Sequence, residues 1–447
     1  MGRRVSTNAT STEADPYVPG HGDTAYGVDH YALDLTYKAA GNHLSGRAQL
    51  TVTLAVDTAT IALDLHALKV TRVDLKGATL RRWAHRSSRL TLRFDDTVPA
   101  GTELVLTIAY AGTPRTVPGP DGRAGWEELT DGVIVAAQPH GAPSWFPCND
   151  RAADKATYRI SVTTDAAYTA VANGTLADRR KVGRATQWTY EMDQPMAPYL
   201  ATVQIGRYET TTLADGPVAV RVVHPARLRS AVAEAFSDQV QMVEVFAGLF
   251  GPYPFGEYAV VVTDDALEIP LESQAMSTFG SNHCTRSWDA QRLIAHELSH
   301  QWFGNAVTAS QWSDIWLHEG FACYAEWLWS EAAGIATVAE QVATHHAKLA
   351  ALPQDIVVGA PGATEMFDDR VYKRGALTLH ALRNEVGDDA FFGILRDWVA
   401  RHSGGVVATA EFEALCERTA GRRLGGLFDA WLRAEPLPPL PAAPSRA

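Results

Sequence analysis

No run of about 18 apolar residues occurs anywhere in the chain, so no membrane-spanning helix is expected. The first 20 residues, MGRRVSTNATSTEADPYVPG, likewise lack the apolar stretch of a secretory leader. Cysteine is scarce. The four present, Cys148, Cys284, Cys323 and Cys416, lie far apart without a CxxC pair. That spacing argues against a disulfide framework and suits free thiols in a reducing compartment, so a cytoplasmic location is expected. Positive charge is also short. With 39 Lys and Arg against 51 Asp and Glu, the formal net charge is -12. Nucleic-acid binding needs clustered cations to meet phosphates, and it is set aside. No internal repeat or low-complexity tract is present.

What remains is the composition of an ordinary folded protein, with 46% hydrophobic and 20% charged residues. A chain of 447 residues exceeds what one hydrophobic core usually serves and points to at least two domains. From Tyr31 to about Tyr208 apolar and polar residues alternate in β-branched segments such as YALDLTY, ELVLTIAY and YRISVTT. Alternation of period two predicts half-buried strands. From about Leu228 the period changes. RSAVAEAFSDQVQMVEVFAGLFG reads as one amphipathic helix ended by Gly251-Pro252, and further helices are predicted over 288–303, 316–333, 335–351, 372–385 and 388–402. A short β section, Tyr258 to Gly280, precedes the second of these. The expectation is an α+β multidomain chain: a disordered stretch over 1–20, a β-sandwich-like domain over 21–209, and a mainly helical domain over 210–447 with a short Pro-rich tail.

The chemistry is concentrated between Ala295 and Glu326, where H-E-x-x-H is followed 19 residues after His300 by Glu319. His296 and His300 are four apart on a predicted helix, so both imidazoles leave one face and can share a zinc ion. Glu297 lies on the adjacent edge, where it can accept a proton from water activated by the metal. Glu319, on a second helix after the Gly304-Asn305 break, offers a third ligand and leaves a fourth position open, as a catalytic zinc requires. One Zn2+ per chain is expected. Glu326 stands two helical turns beyond Glu319 on the same face and is placed to fix the tautomer of one histidine.

These residues resemble the zinc signature of the aminopeptidase N-like metallopeptidases, gluzincins with a thermolysin-like catalytic domain. HELSHQWFGN and WLHEGFACYAE (296–305 and 316–326) match it nearly letter for letter. WFPCNDRAADKATY (145–158) resembles the family's motif at the end of its N-terminal domain. VYKRGALTLHALR (371–383) resembles the segment whose tyrosine stabilises the tetrahedral oxyanion, which implies that role for Tyr372. The resemblance therefore implies a zinc peptidase acting on peptide substrates, while the charge balance and the lack of long apolar runs argue against nucleic-acid or membrane partners.

Recognition of a free N-terminus is implied by fewer residues. Where the family has G-x-M-E-N, this chain has Ile269-Pro270-Leu271-Glu272-Ser273, which keeps the amine-gripping carboxylate as Glu272. The family's N-domain glutamine falls on Gln138, but His140 stands where a second acidic residue often follows. An amine held by one carboxylate fewer loses a charge-assisted bond of about 1.5–3 kcal/mol. Typical members continue into a helical C-terminal domain that roofs the site, whereas this sequence ends soon after GLFDAWLRA (426–434), which implies an open cleft. The leading activity is removal of N-terminal residues. The alternative is an endopeptidase or dual enzyme, of the kind that trims leader peptides from ribosomal peptide products. Epoxide hydrolysis, known in one branch of the family, finds no support in the residues. An inactive scaffold would have lost a ligand or Glu297, and none is lost.

Overall fold

In the computed structural model, which describes residues 15–120 and 122–440, strands dominate the first half and helices the second. The expected disorder over 1–20 falls mostly outside the described residues. Within 15–20, Asp15 accepts the backbone N–H of Trp312, and the Tyr17 hydroxyl accepts that of Gly362.

A seven-stranded sheet runs in the order Thr175–Val182, Ala185–Met196, Ala156–Asp165, Tyr26–Lys38, His43–Leu54, Glu103–Gly112, Lys69–Lys76. Alternation decides its faces. In Tyr26–Lys38, Leu33, Leu35 and Tyr37 are buried, while Thr36 and Lys38 face water. Leu33 and Leu35 share one core with Ile61, Leu63, Leu90 and Leu92 from a three-stranded sheet. A five-stranded sheet follows, containing Gly122–Leu129 and Gly132–Ala136, and completes the β-rich N-terminal domain.

Another five-stranded sheet opens the second half, ordered Tyr208–Asp215, Ala219–Pro225, Glu257–Val262, Met276–Phe279, Leu271–Ser273. Its edge strand, Leu271–Ser273, carries Glu272. Helices α1 (Arg229–Ala235), α2 (Gln239–Phe250), α3 (Trp288–Ser299), α4 (Trp316–Ala332), α5 (Val338–Ala350), α6 (Asp369–Val386), α7 (Asp388–His402) and α8 (Thr409–Ala420) then make the rest of this half mainly helical. Among the described residues no helix is long and apolar enough to cross a membrane.

Several boundaries differ from expectation for local reasons. The single helix predicted before Gly251 is broken between α1 and α2, where Phe236 turns into the core against Phe279. Helix α6 begins three residues before Tyr372, since the Asp368 side chain accepts the N–H of Arg370 and caps it. Helix α8 has no counterpart among the expected helices. There Thr409 Oγ1 accepts the Trp316 indole N–H and donates to Asp314, closing α8 onto the start of α4.

Two features position the site. Helix α4 is buried from Trp316 through Ser330, with its buried carboxylates Glu319 and Glu326 both directed at His296. It crosses α6 where Gly320 meets Gly375: a Cβ on Gly320 would lie 2.8 Å from the Gly375 Cα. The absence of both side chains brings the helix of Glu319 and the helix of Tyr372 into direct contact. The second feature joins the two domains. Lys155 Nζ donates to the carbonyls of Asn305, Ala306 and Gly405, and the Tyr199 hydroxyl donates to that of Gly304.

Candidate metal centre

Helix α3 is capped by Ser287, whose side chain accepts the N–H of Ala290, and it delivers His296 and Glu297 in its last turn with His300 immediately beyond. Gly304 then takes a φ of 121°, a left-handed conformation that glycine adopts without strain. The chain reverses there and enters α4, which presents Glu319 in its first turn. A carboxylate at that position is favoured by the helix dipole.

These elements bring His296, His300 and Glu319 together, with one donor atom from each within 4.8 Å of the others. Glu319 Oε2 lies 3.2 Å from His296 Nε2 and 3.4 Å from His300 Nε2. The other ring nitrogens are engaged. His296 Nδ1 is 2.8 Å from Glu326 Oε1, and His300 Nδ1 is 3.0 Å from the Phe303 carbonyl. The Phe303 carbonyl takes the proton of His300 Nδ1 and so leaves the Nε2 lone pair of that ring toward the shared centre, while His296, with a carboxylate on each ring nitrogen, turns its Nε2 to the same centre. His300 Nε2 is buried without a hydrogen-bond partner, as is Glu297 Oε2 beside it. Two nitrogens, one carboxylate oxygen and an unsatisfied buried lone pair fit a divalent zinc ion.

The electrostatics agree. Burial works against charge on His296, yet hydrogen bonds to Glu319 and Glu326 outweigh it and raise its pKa to about 9. Burial likewise disfavours charge on His300, but Glu319 and Glu272 raise it to about 10. The carboxylates of Glu319, Glu326 and Glu272 around the two rings give the centre a negative surround that attracts a cation. Burial opposes ionisation of Glu326, but Lys373 and His296 hold its carboxyl down to about 2. Lys373 Nζ is 3.8 Å and Arg292 Nη1 3.6 Å from Glu326 Oε2, so this carboxylate is clamped behind the histidine it contacts. Replacing Glu326 with Gln should weaken zinc binding about 10- to 100-fold, by removing the charge that orients His296. Chelator competition measures it; an unchanged zinc affinity would remove Glu326 from that role.

His318, adjacent to Glu319, stands outside the cluster of donors, and its Nε2 accepts the N–H of Ala309.

Around this centre the structure places the remaining candidates. Tyr372 stacks against His296, with ring centroids 5.9 Å apart and planes 15° apart. Glu272 is half-buried, with a carboxylate oxygen within 4.8 Å of donor atoms of Glu297 and His300, and it accepts a hydrogen bond from Gln138 Nε2. His140 is buried, and its Nε2 meets the Val117 carbonyl. Two residues that sequence reasoning leaves without a role tie the parts together. Gln301 Nε2 and Asn305 Nδ2 both donate to the Ser273 carbonyl, and Gln301 Oε1 accepts the N–H of Ala275. The strand bearing Glu272 is thereby bolted to the segment bearing the histidines. Their place within HELSHQWFGN is the one signal the sequence offers for them.

Comparison with known proteins covers nearly the same span. Models described as the peptidase M1 N-terminal domain and the peptidase family M1 domain match residues 28–200 and 234–431. Aminopeptidase M1-A of Oryza sativa subsp. japonica is 26% identical over 84% of this chain and 44% of its own length. Endoplasmic reticulum aminopeptidase 1 of Homo sapiens is 26% identical over 84% of this chain and 43% of its own. The chain thus spans less than half the length of these two relatives. The crystal structure of a mutant M1 zinc metallopeptidase from Deinococcus radiodurans, bound to a Tyr-Ser-Ala substrate, superposes with a TM-score of 0.88 at 31% identity, covering 96% of this chain and 99% of that one. A two-domain M1 zinc metallopeptidase mutant bound to L-arginine gives the same TM-score at 32% identity.

Proposed function

Because the chain belongs to peptidase family M1, we propose that it is a zinc-dependent aminopeptidase that removes residues from the N-termini of peptides. The observation that carries this reading is the position of Glu272. A carboxylate this close to Glu297 and His300 leaves room for little more than one residue between an ammonium group and the bond to be cut. A solved relative holding a tripeptide supports the substrate class.

His296, His300 and Glu319 would hold the zinc, which when bound supplies a Lewis acid for the scissile carbonyl and lowers the pKa of water. Glu272, steadied by Gln138, receives the α-ammonium and sets the register, so the first peptide bond meets the centre. Glu297 takes the proton of the attacking water at Oε2 and later passes it to the departing amine nitrogen. The Tyr372 hydroxyl donates to the carbonyl oxygen as negative charge develops on it. Glu326 keeps His296 in one tautomer. The four cysteines, all buried and unpaired, suit work in the cytoplasm.

Replacing Glu272 with Ala tests this directly. Loss of one charge-assisted contact should lower kcat/KM on peptides with a free N-terminus by roughly one to two orders of magnitude. An N-acetylated peptide presents no ammonium group, so its cleavage depends little on this carboxylate. Equal losses on both peptides would show that Glu272 does something other than hold the amine.

A further inference from the structure

Gln138, on the amine side, and Tyr372, on the carbonyl side, both line a cavity of about 520 Å³. In a peptide the first Cα sits between its amine and its carbonyl. The side chain of the N-terminal residue must therefore leave into this cavity, and what lines the cavity decides which side chain is accepted.

Ile134, Ala136, Leu271 and Phe367 give it apolar walls. Its charges are less expected. Glu127 lies opposite Ile134 on the strand Gly122–Leu129 and is half-buried. Glu268 stands exposed on the loop before Leu271. Among the described residues, neither carboxylate has a hydrogen-bond or ion-pair partner. Burial alone pushes the Glu127 carboxyl up, with no cation nearby to offset it. Asp369 adds a third carboxylate, 3.8 Å from Lys373 Nζ. The positive group on this lining, Arg123, is turned away, donating to the Thr116 hydroxyl and carbonyl.

We infer that Glu127, with Glu268 at the rim, makes this cavity select a cationic side chain, lysine or arginine, at the N-terminal position of the peptide. The inference rests on the aminopeptidase reading. A neutral side chain would leave Glu127 partly desolvated and unpaired, and an acidic one would add a like charge. A cation reaching from the first Cα satisfies it.

The test compares lysyl, norleucyl and glutamyl aminocoumarin amides with the zinc-replete protein and with Glu127→Gln and Glu127→Lys. Norleucine has a straight unbranched chain like that of lysine and lacks the ammonium, so their ratio isolates the charge and is indifferent to partial unfolding or metal loss. The parent should prefer lysine over norleucine by about tenfold, the value of one charge-assisted contact, and Glu127→Gln should bring the ratio near one. Glu127→Lys should reverse the order of the lysyl and glutamyl substrates. A lysine to norleucine ratio near one in the parent, or the same ratio in Glu127→Gln, overturns the inference while the norleucyl turnover upholds aminopeptidase activity. If no substrate is cleaved by the zinc-replete parent, the aminopeptidase reading itself falls and this inference with it.

Discussion

Replacing Glu297 with Gln is expected to leave zinc bound and to lower turnover about 10²- to 10⁴-fold, the contribution of a general base. The two halves of that outcome have separate causes. Glu297 is not one of the three residues whose donors converge around Glu319 Oε2, so its loss removes no ligand. Its own Oε2 is buried without a partner, and burial raises its carboxyl. A poised, unpaired acceptor of this kind takes a proton readily, and an amide cannot. Glutamine has the same shape, and the backbone of α3 is unaffected, so the Ser277 contact to the carbonyl of residue 297 persists. Metal analysis and kcat on the same sample check it. A variant with full zinc and activity within about threefold of the parent would take the general-base role from Glu297.

His300→Ala should fail earlier, at metal binding. His300 is locked by the Phe303 carbonyl with its Nε2 directed at the centre, so removing the ring leaves His296 and Glu319 as the remaining donors. Zinc affinity should therefore drop by more than the 10- to 100-fold expected where only a ligand's supporting partner is changed. Activity should fall to background with it. Retention of one zinc per chain by His300→Ala against a competing chelator would be incompatible with this ligand set.

Much of this site is legible in the amino-acid sequence. The spacing of His296 and His300 predicts one helix face from local geometry alone, whereas Glu319, on a second helix beyond Gly304-Asn305, is marked as the third donor by its spacing from His300 and by the resemblance of WLHEGFACYAE to the family signature. The alternation of Leu33, Leu35 and Tyr37 with polar residues is equally plain. Relations between segments distant in the chain are not. Nothing near Lys155 announces that its ammonium meets carbonyls at 305, 306 and 405. Gln301 and Asn305 look like ordinary polar residues until the Ser273 carbonyl is seen to accept from both. The break between α1 and α2 turns on tertiary packing of Phe236, which overrides a continuous helical pattern. Glu127 carries no motif; it stands out only once it is seen half-buried on a cavity wall whose arginine, Arg123, is engaged by Thr116.

The central claim is a zinc-dependent reaction that counts from the free N-terminus, and one time course reads it. A single long peptide, in free and N-acetylated forms, is incubated with zinc-replete and chelator-stripped protein and followed by mass spectrometry. The expected result is a ladder of successive single-residue losses from the free peptide with zinc, none without it, and little change in the acetylated form. Internal cuts appearing at the same rate in both forms, or an undiminished ladder after the metal is removed, would contradict it.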